Sequence, residues 1–261
     1  MSLDDGYVNA DYLKKMAERA RSLKELSYQH MAITPGMTLI DVGCGPGVDT
    51  PALAQLTGVN GRVIGIDSDA AMLAEADKVI AGNELSTIIE HREGSATELP
   101  LENNSVDACR AERLLQVLSP DVEQQVVSEM VRATKPGGRI VLVDTDWGSA
   151  SVDFSDGELE RRLLTFFARE MRPNGFAGRR LYSLCHQHQL CEIQLDTIPF
   201  VEHSYEESPL AEWLITTALQ QNIINEDEAN AWRGELMTKQ QKRSFYSCVN
   251  LVIVSGTVPE C

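Results

Sequence analysis

The stretch "LIDVGCGPGVDT", residues 39–50, leads from an apolar run that ends in an acid, through three glycines at alternate positions, into what reads as a helix. A turn built on Gly43, Gly45 and Gly47 adopts backbone conformations closed to other residues and lets a ligand approach main-chain atoms. Between a strand and a helix, such a turn belongs at the carboxyl edge of a parallel sheet, where doubly wound folds bind their ligands. The spacing is G-x-G-x-G and not the G-x-G-x-x-G of dinucleotide sites, so a pyrophosphate is not the obvious occupant. Asp67 ends the next apolar run, where a carboxylate accepts hydrogen bonds from both hydroxyls of a ribose. By themselves these features are equally compatible with a merely structural turn.

Outward from this stretch, strand-like runs recur at "MTLIDV" (37–42), "RVIGID" (62–67), "STIIEH" (86–91), "SVDACR" (105–110) and "GRIVLVD" (138–144), with helical patterns between them. That alternation argues for parallel βαβ units in a doubly wound α/β sheet. Ser119 with Pro120 reads as a helix start, Val122, Val126, Met130 and Val131 make one apolar face, and "KPGG" (135–138) stops the helix. Past residue 147 come helices near 156–171 and 178–189, a strand at 191–200, helical stretches near 208–221 and 226–241, and a last strand near 247–256. The helical pair between the last two strands is longer than a crossover needs and reads as a lid. An N-terminal helix at about 9–31 is placed to close the same mouth.

Composition narrows the function classes. A chain of 261 residues with 43% hydrophobic content can bury a full core, and a formal net charge of -16 repels polyanions, so neither nucleic acid nor an anionic membrane is an expected partner. No run approaches the roughly 20 apolar residues that span a bilayer. The expected location is cytoplasmic. Six cysteines scattered through the chain do not form a disulfide framework. "CHQHQLC" (185–191) brings Cys185, His186, His188 and Cys191 together, but the spacing is not a zinc pattern and the segment reads as a helix end turning into a strand, so no metal is expected.

With "DVGCGPG" (41–47), "IGIDSD" (64–69), "EGSATELPLENNSVDACRAERLLQVLSP" (93–120) and "KPGG", the chain resembles the class I S-adenosylmethionine-dependent methyltransferases. It is most similar to the small-molecule group that includes the ubiquinone and menaquinone C-methyltransferases, densely from about 35 to 146 and thinly elsewhere. The resemblance implies a Rossmann-like sheet of about seven strands, mostly parallel with an antiparallel last strand, under a helical cap. It implies one methyltransferase domain over 1–261: the N-terminal helix, a cofactor-binding core at 35–146, and a second half at 147–261 with the lid near 205–241. The cofactor would be S-adenosyl-L-methionine, with Asp41, Gly43, Gly45 and Gly47 at its methionine half, Asp67 with Ser68 at the ribose, and Met72 on adenine. Gly94, Ser95 and Ala96 would meet the adenine edge, and the Arg110 carbonyl would receive the ammonium. Two departures stand out. Ser95 replaces the family's Asp, which leaves a weaker acceptor unless a neighbour such as Glu93 substitutes, and Val117 stands where relatives often carry a His.

The implied activity is methyl transfer to a small-molecule acceptor, mainly by aligning acceptor and sulfonium. Where a proton must leave, "VDTDWGS" (143–149) offers Asp144 and Asp146, and the cap offers His186, His188 or His203. Trp147 reads as either a packing anchor or a wall of the acceptor pocket. Met72, on a helix with apolar neighbours, has plain core as its lesser reading, and Cys44 reads as a small buried residue rather than a nucleophile. The alternatives are a non-catalytic S-adenosylmethionine-binding protein and, less favoured by the glycine spacing, a nicotinamide-dependent oxidoreductase. An enzyme needs open space ahead of the sulfonium; a binding protein would have it filled.

Overall fold

The computed structural model describes residues 19–82 and 84–260. Among these, seven strands form one sheet: β1 (Thr38–Val42), β2 (Arg62–Asp67), β3 (Ile89–Glu93), β4 (Val106–Glu112), β5 (Thr134–Val152), β6 (Cys191–Glu202) and β7 (Ser247–Thr257), in the order β3-β2-β1-β4-β5-β7-β6. The first five pair in parallel, and β7 runs antiparallel to both β5 and β6. This is the mostly parallel Rossmann-like arrangement expected from the alternating runs. The helices are α1 (Arg21–His30), α2 (Thr50–Thr57), α3 (Ala70–Ile80), α4 (Glu123–Ala133), α5 (Gly157–Glu170), α6 (Ala177–Gln187), α7 (Glu212–Gln220) and α8 (Glu226–Gln241). None is long and apolar enough to cross a membrane.

Period-two alternation in the central strands supplies both faces of the sheet. Ile40, Val42, Ile64, Ile66, Ile140 and Leu142 pack with α4 and α6. Leu39, Val63, Val141 and Val143 point the other way and pack against Leu23 of α1 and Leu53 of α2. Each such side chain contributes roughly 1.5–3 kcal/mol on burial. A third apolar cluster joins α5, α7 and α8 around the fully buried Trp232, with Trp147 and Phe154 at its margin.

Helix boundaries follow local chemistry. Asp69 caps α3 by accepting from Ala71 N, Asp156 caps α5 through Glu158 N and Leu159 N, and Asn225 with Glu228 makes a reciprocal capping box on α8. Several boundaries differ from the sequence reading. β5 runs from Thr134 to Val152 and not 138–144, so 135–138 lie inside the strand and the helix ends before them at Ala133, while the Ser119–Pro120 start opens a 3₁₀ turn, Pro120–Val122, ahead of α4. Glu84–Thr87 closes into a 3₁₀ turn, so the third strand starts at Ile89 and not at Ser86. β4 continues two residues past Arg110, and α7 begins at Glu212, beyond Pro209. Of the N-terminal helix expected at 9–31, residues 9–18 lie outside the described residues.

Two loop glycines are sterically required. Gly43 and Gly47 have φ of 72° and 68°, and a Cβ on Gly47 would lie 2.6 Å from the Cβ of Ala76 on α3. At Gly36, φ is 93° but the space around a Cβ is open. Gly36→Ala should therefore cost only the left-handed backbone penalty, about 1–2 kcal/mol, while Gly47→Ala adds a clash against a packed helix and should cost more. Denaturant midpoints of the two variants check this; equal losses would mean that α3 yields freely.

Candidate functional site

A cavity of about 350 Å³ opens at the carboxyl ends of β1, β2 and β4 and extends past Thr145 and Trp147 of β5 to the segment 208–210 and to β7. At the first end the glycine turn is held by β2. Gly43 N and Cys44 N both donate to Ile66 O, and Gly45 N donates to Asp67 Oδ2 at 2.8 Å. Asp67 Oδ1 accepts from Asp69 N at 2.9 Å, so each carboxylate oxygen is oriented by one main-chain bond and keeps further lone-pair capacity. Ser68, Met72, Gly94, Ser95 and Ala96 line the same end. Ser95 Oγ sits 2.7 Å from Thr97 Oγ1 and accepts from Thr97 N, a bond that shapes its own loop; Glu93 is exposed and does not line the cavity.

The floor is a buried ionic cluster. Arg110, with no exposed surface, reaches Asp41 Oδ1 at 3.0 Å, Ser27 Oγ at 3.0 Å and the Glu112 carboxylate. Lys24 of α1 binds Asp49 Oδ2 at 2.7 Å and Glu112 Oε1 at 2.9 Å, and the Tyr28 hydroxyl donates to Asp49. Burial pushes the Asp41 carboxyl well above its ordinary range, and Arg110 only partly offsets that. Asp49 is the opposite case: burial would raise it, but Arg110 and Lys24 together hold it well below. Arg110 was expected to act through a carbonyl at the end of its strand. Its backbone instead lies inside β4, paired with Asp41 and Val141, and the strand end is at Glu112. Burial pushes the Cys44 thiol far up, which fits a small buried residue and not a thiolate nucleophile.

Residues 144–147, within β5, depart from the expectation for a base. Thr145 and Trp147 line the cavity; Asp144 and Asp146, one residue out of phase, do not. The Asp144 carboxylate accepts from Thr145 N and Gln116 N, and the Asp146 carboxylate takes a bidentate contact from Arg179 of α6 at 2.8 and 3.0 Å. His186 and His188 lie at the end of α6, and His203 Nδ1 is 3.3 Å from Phe245 O; none lines the cavity. The Trp147 indole N–H donates to Gln116 Oε1 at 2.8 Å, so this ring is at once wall and anchor. Val117 does line the cavity, in a short turn that follows Arg113, a residue held at φ 53°.

Beyond Trp147 the lining becomes mainly apolar, with Phe200, Pro209, Leu210, Val249 and Leu251 beside Ser208, Ser247, Glu202 and Arg172. The sequence reading reached none of these by number, because they come from three segments far apart in the chain. Lys24 and Tyr28 were also missed. Their signal was present as polar residues at i and i+4 beside Ser27, on the face that a surface helix turns inward.

Residues 39–138 match the sequence family described as a methyltransferase domain. The chain is 35% identical over 175 residues to an uncharacterized 37.1 kDa protein in transposon TN4556 of Streptomyces fradiae, covering 66% of this chain and 49% of that one. It is 37% identical over 121 residues to a demethylmenaquinone methyltransferase of Desulfitobacterium hafniense, covering 46% and 47%. The chain thus spans about half the length of the curated relatives it matches. Its fold is that of the YcgJ protein from Bacillus subtilis, with a TM-score of 0.65 at 16% identity over 92% of this chain and all of the other.

Burial pushes the Asp144 carboxyl up from 3.8 to about 7, against the pull of its bonds from Thr145 N and Gln116 N. An acid raised in this way binds its proton more tightly folded than unfolded. Its contribution is present at low pH and is lost as pH rises through that window. Asp144→Asn, which cannot ionise, should flatten this part of the stability profile, as read by chemical denaturation at several pH values. An unchanged slope would show that Asp144 titrates normally in the folded protein.

Proposed function

We propose that this chain is a class I methyltransferase, which binds S-adenosylmethionine at the β1 and β2 end of its cavity and transfers the methyl group to a small-molecule acceptor at the β5 and β7 end. One observation carries the reading: a single continuous cavity joins the glycine turn and Asp67 to an apolar chamber beyond Trp147. When bound, the cofactor would supply a sulfonium methyl group, a reactive electrophile that needs only an aligned acceptor. The chain's residues fit that cofactor. The Gly43–Gly47 turn admits its methionine half against main chain, Asp67 takes the ribose hydroxyls, and Met72 and Ala96 provide apolar contact for adenine. In the floor, Asp41 and Glu112 offer negative charge to an ammonium, and Lys24 and Arg113 offer positive charge to a carboxylate.

The open chamber favours an enzyme over a binding protein, which would have it filled. Similarity to demethylmenaquinone methyltransferases supports a small, partly apolar acceptor, and the net charge of -16 disfavours nucleic acid. The segment 205–241 and α1 border the chamber and act as its lid. With Asp144 and Asp146 engaged in bonds outside the cavity, rate enhancement comes from alignment, and the acceptor's own ionisation sets the pH profile.

Asp67→Ala should weaken S-adenosylmethionine binding roughly tenfold or more, through lost charge-assisted bonds to the ribose and a loosened turn at Gly45. Calorimetry on both proteins reads this, and unchanged affinity would remove Asp67 from the site. A protein that bound NAD but not S-adenosylhomocysteine would instead be an oxidoreductase. Once the acceptor is known, Asp146→Asn should retain near-normal turnover; a loss of about a hundredfold with intact cofactor affinity would restore the carboxylate base.

A further inference from the structure

Beyond Trp147, two hydroxyls stand in the apolar lining of the cavity, those of Ser208 and Ser247. Ser208 belongs to the 208–210 segment on the lid side, and Ser247 opens β7 on the sheet side; they are buried to 6% and 2% exposure. Their oxygens lie 3.3 Å apart, and Ser208 Oγ also accepts from Leu210 N at 3.3 Å. Among the described residues the two hydroxyls make no other bond. A pair of hydroxyls carries a pair of protons, and the bond between them uses one. Whichever oxygen donates, one O–H is left without an acceptor. The side chains around it, Phe200, Leu210, Val249 and Leu251, offer none.

The charges at this end are balanced. The guanidinium carbon of Arg172 lies among rings, 4.6 Å from the centre of Trp147, 4.8 Å from that of Phe167 and 5.1 Å from that of Trp213. The Glu202 carboxylate lines the same end. It is bonded by Arg19, which also reaches Glu207 at 3.2 Å, and it accepts from His203 N at 3.1 Å. The guanidiniums of Arg19 and Arg172 therefore stand with the carboxylates of Glu202 and Glu207, in and beside the chamber. No excess of either sign remains to compensate an ionic group drawn out of water.

We infer that the hydroxyls of Ser208 and Ser247 are the polar recognition site of the acceptor chamber, donating one hydrogen bond to an oxygen of an uncharged, otherwise apolar acceptor. This rests on the methyltransferase reading, which makes that end of the cavity the acceptor end. A carbonyl, ether or hydroxyl oxygen takes the unspent proton, so that a buried donor gains the partner it lacks. The acceptor's body lies along Phe200, Leu210 and Leu251. Because the hydroxyl pair sits on the seam between lid and sheet, the bond also holds the acceptor in one orientation, as alignment with the sulfonium demands.

The test uses the whole chain saturated with S-adenosylhomocysteine and titrated calorimetrically with probes on one phenylalkyl body: 4-phenylbutan-2-one, butylbenzene, 3-phenylpropionate and 3-phenylpropylammonium. The ketone should bind about fivefold or more tighter than each of the others, the gain expected of one buried hydrogen bond. Either hydroxyl alone keeps a proton to donate, so both are removed. Ser208→Ala combined with Ser247→Ala should bring the ketone down to butylbenzene while affinity for S-adenosylhomocysteine holds. If that variant folds poorly, Ser208→Cys with Ser247→Cys, whose thiols fill the space but donate weakly, should narrow the gap in the same direction. The inference is overturned if no probe binds, if butylbenzene or either ion matches the ketone, or if the ketone's advantage survives loss of both hydroxyls. Failure of the wild type to bind S-adenosylhomocysteine sinks the methyltransferase reading itself, whereas good binding with no ketone preference removes only the role of the serine pair.

Discussion

The buried guanidinium of Arg110 is the constraint on which the floor of the cavity depends. A cation without exposed surface loses several kcal/mol of hydration unless acids surround it at close range. Here Asp41 from β1, Asp49 from the start of α2 and Glu112 from the end of β4 converge on it. The resulting excess of acid is in turn met by Lys24, which reaches in from α1 to Asp49 and Glu112. One desolvated charge thereby sets the relative positions of two strand ends, the helix after the glycine turn and the helix before the sheet. Apolar packing of Leu23 and Met31 holds α1 against the sheet, but it is the ion pairs that fix where along the sheet the helix sits. Such clusters add little net stability; they penalise every arrangement that leaves one member alone.

The second organising fact is the two-residue period of β5. Thr145 and Trp147 face the cavity because Asp144 and Asp146 face elsewhere, and the two acids are put to structural use. Asp144 holds the turn at Gln116 through a main-chain N–H, Gln116 holds the Trp147 indole, and Trp147 with Phe167 and Trp213 surrounds Arg172. The link from a buried carboxylate to the wall of the apolar end of the cavity is thus a chain of direct contacts. It also joins the parallel half of the sheet to the third apolar cluster, which α5, α7 and α8 complete.

Much of the fold was legible because it depends on local signals. The alternation of apolar strands with helices, the Ser119–Pro120 start and the G-x-G-x-G turn each act within a few residues, and the alternation placed the sheet. Strand boundaries at Ser86 and Arg110 were off by two or three residues, because a 3₁₀ turn and the pairing of neighbouring strands decide where a ladder begins and stops. The acidic pair within β5 misled for a related reason. Composition and nearness to a strand end made Asp144 and Asp146 look catalytic, while the direction in which a strand presents alternate residues is set by register against its neighbours.

The sequence by itself determined the Rossmann-like sheet, the glycine turn, Asp67 and the acidic exterior, all of which are encoded in contiguous residues and short periodicities. Only the tertiary structure decided that Lys24, Tyr28, Asp41, Asp49, Arg110 and Glu112 form one buried cluster, and that Arg172 meets Trp147, Phe167 and Trp213. Those groups come from segments tens of residues apart. No local pattern specifies their meeting, because it is the collapse of three separate apolar surfaces onto one sheet that brings the charges and rings within a few ångströms.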